Sequence, residues 1–163
     1  MIRITKQTDY GIVLLTHLAA NPEHQYNAPE LAAEARLPLP MVSKILKILT
    51  RDGLLVSHRG VHGGYSLARP PRQITVDQIV GSLEGRIAMT ECVEDHHECA
   101  RESFCAVRGN WQVINGAIQN ALSGISLADM VRPIASAPDL VTIGTRREAA
   151  SADSVRNAVS AEQ

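Results

Sequence analysis

The chain is 163 residues long, enough for one domain or one small domain with an appendage. It is 45% hydrophobic with no apolar run near the length of a membrane span, so a membrane-spanning helix is excluded and a soluble cytoplasmic protein with reduced thiols is expected. The net charge of −1 conceals +4 over residues 1–72, −4 over 73–133 and −1 over 134–163; only the first part has the balance that suits a polyanion partner.

Aromatic residues make up 3% of the chain, so the core must be built from Leu, Ile, Val and Ala, which favours helices. Tyr10, Val13, Leu14, His17 and Leu18 recur at helical spacing and predict a helix over about 8–20, ended by Asn21-Pro22. Gly11 weakens it slightly. Residues 2–5 read as a lead-in or an edge strand. Asp9 lies in the first turn, where a carboxylate favours the helix dipole.

Asn27-Ala-Pro-Glu30 is a helix start, with Asn27 as cap, Pro29 in the first turn and Glu30 placed for a capping box. The short helix over 28–35 meets a connection containing Pro38 and Pro40, and a second helix runs from there to Asp52 with Gly53 as its stop. Val42, Ile45, Leu46 and Leu49 form its apolar stripe. Met41, Ser43, Lys44 and Lys47 lie off the centre of that stripe and are the candidate DNA-binding residues. Two short helices joined tightly describe a helix-turn-helix.

The next fifteen or so residues strengthen this reading. Leu54–Ser57 and Tyr65–Leu67 read as strands around a Gly-rich turn, so the helix-turn-helix leads at once into a β-hairpin wing. Arg59 among the wing glycines suits entry into a narrow minor groove. Gly60, Gly63 and Gly64 would let the backbone approach phosphates, although glycines also simply make turns. After a polar break at Arg69-Pro-Pro-Arg72, a helix capped by Thr75 turns Val76, Ile79, Val80 and Leu83 inward and ends at Gly85.

The longest helical pattern runs from Val107 to Leu122. Trp111, Ile114, Ile118 and Leu122 share a wide apolar face, which fits pairing with a second copy or ordinary packing within the chain. Ser126–Val131 predicts a last short helix. From Ala135 onward the chain is rich in Ala and Ser without a sustained period, and disorder is expected.

All three cysteines lie in one polar stretch, Cys92, Cys99 and Cys105, with six and then five residues between them. An odd number cannot all pair as disulfides, and three thiolates in one loop are soft donors for a metal or an iron–sulfur cluster. The tight C-x2–4-C spacing of a zinc knuckle is absent, which makes zinc the weaker reading. A cluster takes four protein ligands, so the fourth is not a cysteine; local candidates are Glu94, Asp95, His96 and His97.

The wing RGVHGGYSL, the helix beginning ITVDQIV, the three cysteines, the long helix and SLADMV together make the chain resemble the Rrf-type winged-helix regulators over about residues 1–133. The opening TKQTDYGIVLLTHLA is most similar to the branch regulating SUF-type iron–sulfur cluster assembly. The resemblance implies a mainly α winged helix-turn-helix with a small β-hairpin wing and a long C-terminal dimerisation helix. It implies a homodimer on a double-stranded DNA operator, with Cys92, Cys99 and Cys105 as ligands of a 2Fe–2S or 4Fe–4S cluster. Ser43, Lys44 and Lys47 fall on the recognition helix, and Arg59 matches the wing arginine. In the 2Fe–2S regulator of this family a histidine three residues past the last cysteine completes the site. Here that position is Arg108, which cannot coordinate. In the nitric-oxide-sensing relatives an aspartate in the first helix of the other subunit completes a 4Fe–4S site, and Asp9 occupies the matching position.

The domains expected are a DNA-binding domain over 1–85, a cluster loop over 86–106, a dimerisation and docking segment over 107–133, and a tail over 134–163. The function expected is a repressor that senses cluster status and controls cluster-assembly genes, or a nitric-oxide or redox-responsive repressor of the same family. A rival from another class is an iron–sulfur carrier or electron-transfer protein. No Ser/His/Asp arrangement, phosphate loop or close dithiol points to an enzyme.

Overall fold

The computed structural model describes residues 3–60, 63–85, 87–90 and 105–132. The tail, Cys92, Cys99 and their neighbouring carboxylates and histidines lie outside these residues. Among the described residues, six helices and one hairpin run in the order α1 (Lys6–Ala20), α2 (Ala28–Glu34), α3 (Leu39–Arg51), β1 (Leu55–Ser57), β2 (Tyr65–Leu67), α4 (Val76–Glu84), α5 (Arg108–Ser123) and α6 (Leu127–Val131). A 3-10 turn at Pro71–Gln73 occupies the expected polar break.

The start of α1 comes earlier than the periodicity predicts. Thr5 caps it, its hydroxyl accepting from the Thr8 N–H at 3.3 Å, while the Thr5 N–H donates to Glu84 Oε1 at 2.7 Å. Gln7 Nε2 also donates to the Leu83 carbonyl, at 3.0 Å. These bonds hold the start of α1 on the end of α4. Gly11 fits the same contact, because a Cβ there would run into Leu83 Cδ1. The glycine costs α1 a little helix propensity and allows the close approach of α4.

The Thr5 N–H also holds the Glu84 carboxyl below its ordinary value of 4.5. A carboxyl with a lowered folded pKa binds its proton more weakly in the folded chain than in the unfolded one. Its stabilising contribution is complete above the unfolded value and is lost as the pH falls through the lowered folded value. Glu84→Gln is therefore expected to flatten the fall in urea-unfolding midpoint below about pH 5. A variant curve parallel to the wild-type curve would contradict this.

The core is mostly aliphatic, with Tyr26 buried in it and Tyr10 and Tyr65 packed against it. Leu14, Leu15, Leu31, Val42, Ile45, Leu46, Leu49, Ile74, Ile79 and Leu127 are fully buried. Asn27 and Glu30 form the expected capping box at α2, with Asn27 Oδ1 accepting from the Glu30 N–H at 2.9 Å. Arg36 takes a φ of 53° in the turn between α2 and α3, a left-handed position that a side chain enters at a cost.

β1 and β2 pair antiparallel, with Leu55 opposite Leu67 and Ser57 opposite Tyr65. Tyr26 extends the hairpin: its N–H donates to the Tyr65 carbonyl at 3.3 Å, and the Tyr65 N–H returns to its carbonyl at 2.8 Å. The wing is thereby joined to the entry of α2. The chain comes back to this body through α6. The Leu127 N–H donates to the Ile74 carbonyl at 2.7 Å, and the Val76 N–H donates to the Ile125 carbonyl at 2.9 Å.

Candidate nucleic-acid interface and cysteine segment

At 3.6 residues per turn, the buried stripe of α3 leaves one outward arc. Lys44 and Lys47 are exposed on it and Ser43 is half-buried. Met41 is also half-buried but packs against the core, so less of it faces outward than the sequence pattern suggests. At the C-terminal end of the helix, Asp52 accepts from the Ser82 hydroxyl at 2.7 Å and from Arg51 Nε at 2.8 Å. Arg51 first and Ser82 second hold the Asp52 carboxyl below its usual range. These bonds link the end of α3 to α4.

In the wing, Arg59 and Gly60 are exposed, and Gly60 has a φ of +118°, a conformation that glycine adopts freely. Gly63 and Gly64 are used differently. The Gly63 N–H donates to the Gly60 carbonyl at 3.0 Å, and the Gly64 N–H donates to the His58 carbonyl at 3.1 Å. Gly64 is buried, and a Cβ there would stand 2.7 Å from the Tyr26 carbonyl oxygen. The need for glycine at Gly64 is thus close backbone packing inside the protein rather than access to a phosphate.

Asp9 is exposed in the first turn of α1. Cys105 is half-buried just before α5, its carbonyl accepting from the Arg108 N–H at 3.3 Å. Upstream of the cysteine segment, residues 87–90 are strapped to α5. The Met89 N–H donates to Asn115 Oδ1 at 3.2 Å, and Gln119 Nε2 donates to the Ile87 carbonyl at 3.4 Å. Asn115 is 3% exposed and is the buried residue of α5. The sequence reading missed both amides; the available signal was a polar residue four positions after Trp111, in the middle of an apolar face.

The apolar face of α5 divides between two environments. Ile118 and Leu122 are half-buried and line a cavity of about 520 Å³ with Ile4, Val80, Ile87 and Met89. Trp111 is half-buried, Ile114 is 43% exposed, and Val113 and Val107 are 74% and 48% exposed. Among the described residues no three His, Cys, Asp or Glu side chains converge, and no helix is long and apolar enough to cross a membrane.

A helix-turn-helix with a hairpin wing joined to its own core, and lysines on the outward arc of its second helix, defines a winged-helix DNA-binding protein. More narrowly, the chain belongs to the Rrf2 family, described as iron-dependent transcriptional regulators, whose family model matches residues 4–133. The protein aau3 of Rhizobium meliloti (strain 1021) is 34% identical over 132 residues, covering 80% of this chain and 86% of that one. The solved structure of CymR, the global cysteine regulator of B. subtilis, is 29% identical with a TM-score of 0.63, covering 80% of this chain and 97% of that one. The structure of T. potens IscR is 28% identical with a TM-score of 0.62, covering 80% of this chain and 86% of that one.

Proposed function

We propose that the chain is a homodimeric repressor that senses iron–sulfur cluster status and controls iron–sulfur cluster assembly genes. The observation that carries this reading is the position of the cysteine segment. It is inserted between α4 and α5, with its upstream flank tied to Asn115 and Gln119 and Cys105 leading directly into α5. A solved relative is named for cysteine regulation, so the shared fold does not choose the signal; the three clustered thiols of this chain support a cluster.

The donor set suits a cluster. Cys92, Cys99 and Cys105 would supply soft thiolates. Arg108 cannot act as a ligand, whereas Asp9 presents an exposed carboxylate at the start of α1, open to a site on a second copy. When bound, the cluster supplies a centre whose occupancy and oxidation state track iron supply and oxidants. The chain's own residues carry the response. A shift in the cysteine segment pulls on Ile87 and Met89, whose bonds to Gln119 and Asn115 pass it to α5. The exposed Val113 and Ile114 would meet the partner subunit there, with Trp111, Ile118 and Leu122 behind them. Movement of α5 changes the spacing of two recognition helices on a two-fold operator, a differential contact of the kind allostery requires. In this scheme residues 1–85 read DNA, 86–106 hold the cluster, 107–133 dimerise and dock, and 134–163 are an appendage.

Asp9 in place of a histidine at position 108 favours a second reading, a nitric-oxide or redox-responsive repressor built on a 4Fe–4S cluster. Absorption and Mössbauer spectra of anaerobically purified protein and of Asp9→Ala test both. The expected result is a cluster signature in the wild type that weakens in the variant. A signature indifferent to Asp9 moves the fourth ligand to His96 or His97. No iron after anaerobic reconstitution overturns cluster sensing. Equal operator affinity of cluster-bound and apo protein overturns the switch.

A further inference from the structure

We infer that Leu39, with Pro40 beside it, reads the C5-methyl group of a thymine in each operator half-site. This inference rests on the DNA-binding reading of α3. Pro40, Ser43, Lys44, Lys47 and Arg51 share the arc of α3 away from its buried stripe, and Leu39, one turn before Ser43, stands at the edge of that arc at the N-terminal end of the helix. The arc is divided by chemistry: its cations lie in the middle and last turns, and its first turn is hydrocarbon.

Leu39 is 42% exposed. Single exposed leucines are ordinary, so its position carries the argument. The first turn of α3 has no acidic residue and no side-chain cap, since Pro38 holds the cap position. Pro40 has no N–H, and the N–H groups of Met41 and Val42 both return to the Pro38 carbonyl, at 3.0 and 3.1 Å. Leu39 is not needed to fix the entry of the helix either. The residue before the cap and the fourth helical residue, the pair that staples a helix start, are Leu37 and Val42, and both pack in the core. Leu39 is absent from that core and is exposed at the tip of the helix.

A recognition helix presents its N-terminal residues to the base edges. The first turn here offers those edges carbon surface and no side-chain hydrogen bond. The thymine C5-methyl is the apolar group on the major-groove edge of a base pair, while the other edges are donors and acceptors. A leucine placed against those polar edges would strip water from them without replacing the lost bonds. The same side chain thus gains from a thymine and penalises its alternatives, while Lys44 and Lys47 anchor the helix to the backbone.

The test uses the full-length protein and a duplex pool with a randomised core. The enriched duplex is then remade with single thymines replaced by deoxyuridine, which removes only the methyl group. Titrations by mobility shift compare wild type with Leu39→Ala, an exposed position whose truncation leaves the core intact. The expected result is one thymine per half-site at which uracil weakens wild-type binding about fourfold, and about sixteenfold for the symmetric pair. Leu39→Ala should bind the thymine and uracil duplexes equally. Uracil tolerated at every position would overturn methyl readout while leaving DNA binding intact, and would hand the exposed Leu39 to a protein contact. Uracil sensitivity that persists in Leu39→Ala would overturn the role of Leu39. If no sequence is enriched, the DNA-binding assignment of α3 fails and this inference with it.

Discussion

Leu127→Ala is expected to cost about 2–5 kcal/mol of folding stability. The residue lies on α6, a helix of five residues at the far end of the described chain, yet it is fully buried. So short a helix has no stability of its own and is held by what it packs against. The Leu127 side chain sits in the core with Leu14, Ile45 and Ile79, and its N–H is bonded to Ile74. Truncation leaves a cavity under α1 and loosens the anchor that brings the end of α5 back to the winged body. Met130 on the same helix is 42% exposed, so Met130→Ala should stay within about 0.5 kcal/mol of wild type. Urea unfolding monitored by circular dichroism separates the two variants. Similar midpoints for both would mean that α6 is a loose appendage and that the winged domain ends before it.

The burial of α6 was not legible in the sequence, although the helix itself was. Ser126-Leu-Ala-Asp is a local start signal, and Asp129 does accept from the Ser126 N–H at 3.0 Å. Nothing local says that Leu127 belongs with residues more than a hundred positions earlier. The same division recurs along the chain. Asn27 and Glu30 announce α2 because a capping box is satisfied within four residues. Thr5 did not announce α1, because part of what holds it is Glu84, 79 positions away. Gly11 read as a weakness in a helix, and the contact with Leu83 that makes it useful is visible only once α4 lies across α1.

At the candidate site, the lysines of α3 and the wing arginine could be found because an exposed cation on an amphipathic helix or a Gly-rich turn is a local pattern. The straps from Asn115 and Gln119 could not, because an amide on an apolar face shows its purpose only beside its partner. The periodicity of α5 also hid a division of labour. Ile118 and Leu122 lean toward α4 and the residues after it, while Val113 and Ile114 stay outside. A helical repeat records that a face is apolar and does not record what covers it.

Replacing Lys44 and Lys47 together with alanine is expected to weaken operator binding by roughly two orders of magnitude or more at low salt. Both side chains are exposed on the outward arc of α3, and neither takes part in an ion pair among the described residues. Their charges are therefore available to phosphates, and each contact releases condensed counterions. If the protein binds as the proposed dimer, the double variant loses four such contacts, so the slope of log K against log salt should become shallower by about 4. The loss should then be largest at low salt and shrink as salt is added. Because phosphates carry no sequence, the variant should lose affinity for operator and unrelated DNA alike, whereas loss of the Leu39 contact would act on one base pair and leave the slope unchanged. Fluorescence anisotropy across a salt series distinguishes these patterns. An unchanged slope and affinity would mean that α3 does not lie on DNA, and would favour the rival in which an iron–sulfur carrier keeps a winged fold for contacts with other proteins.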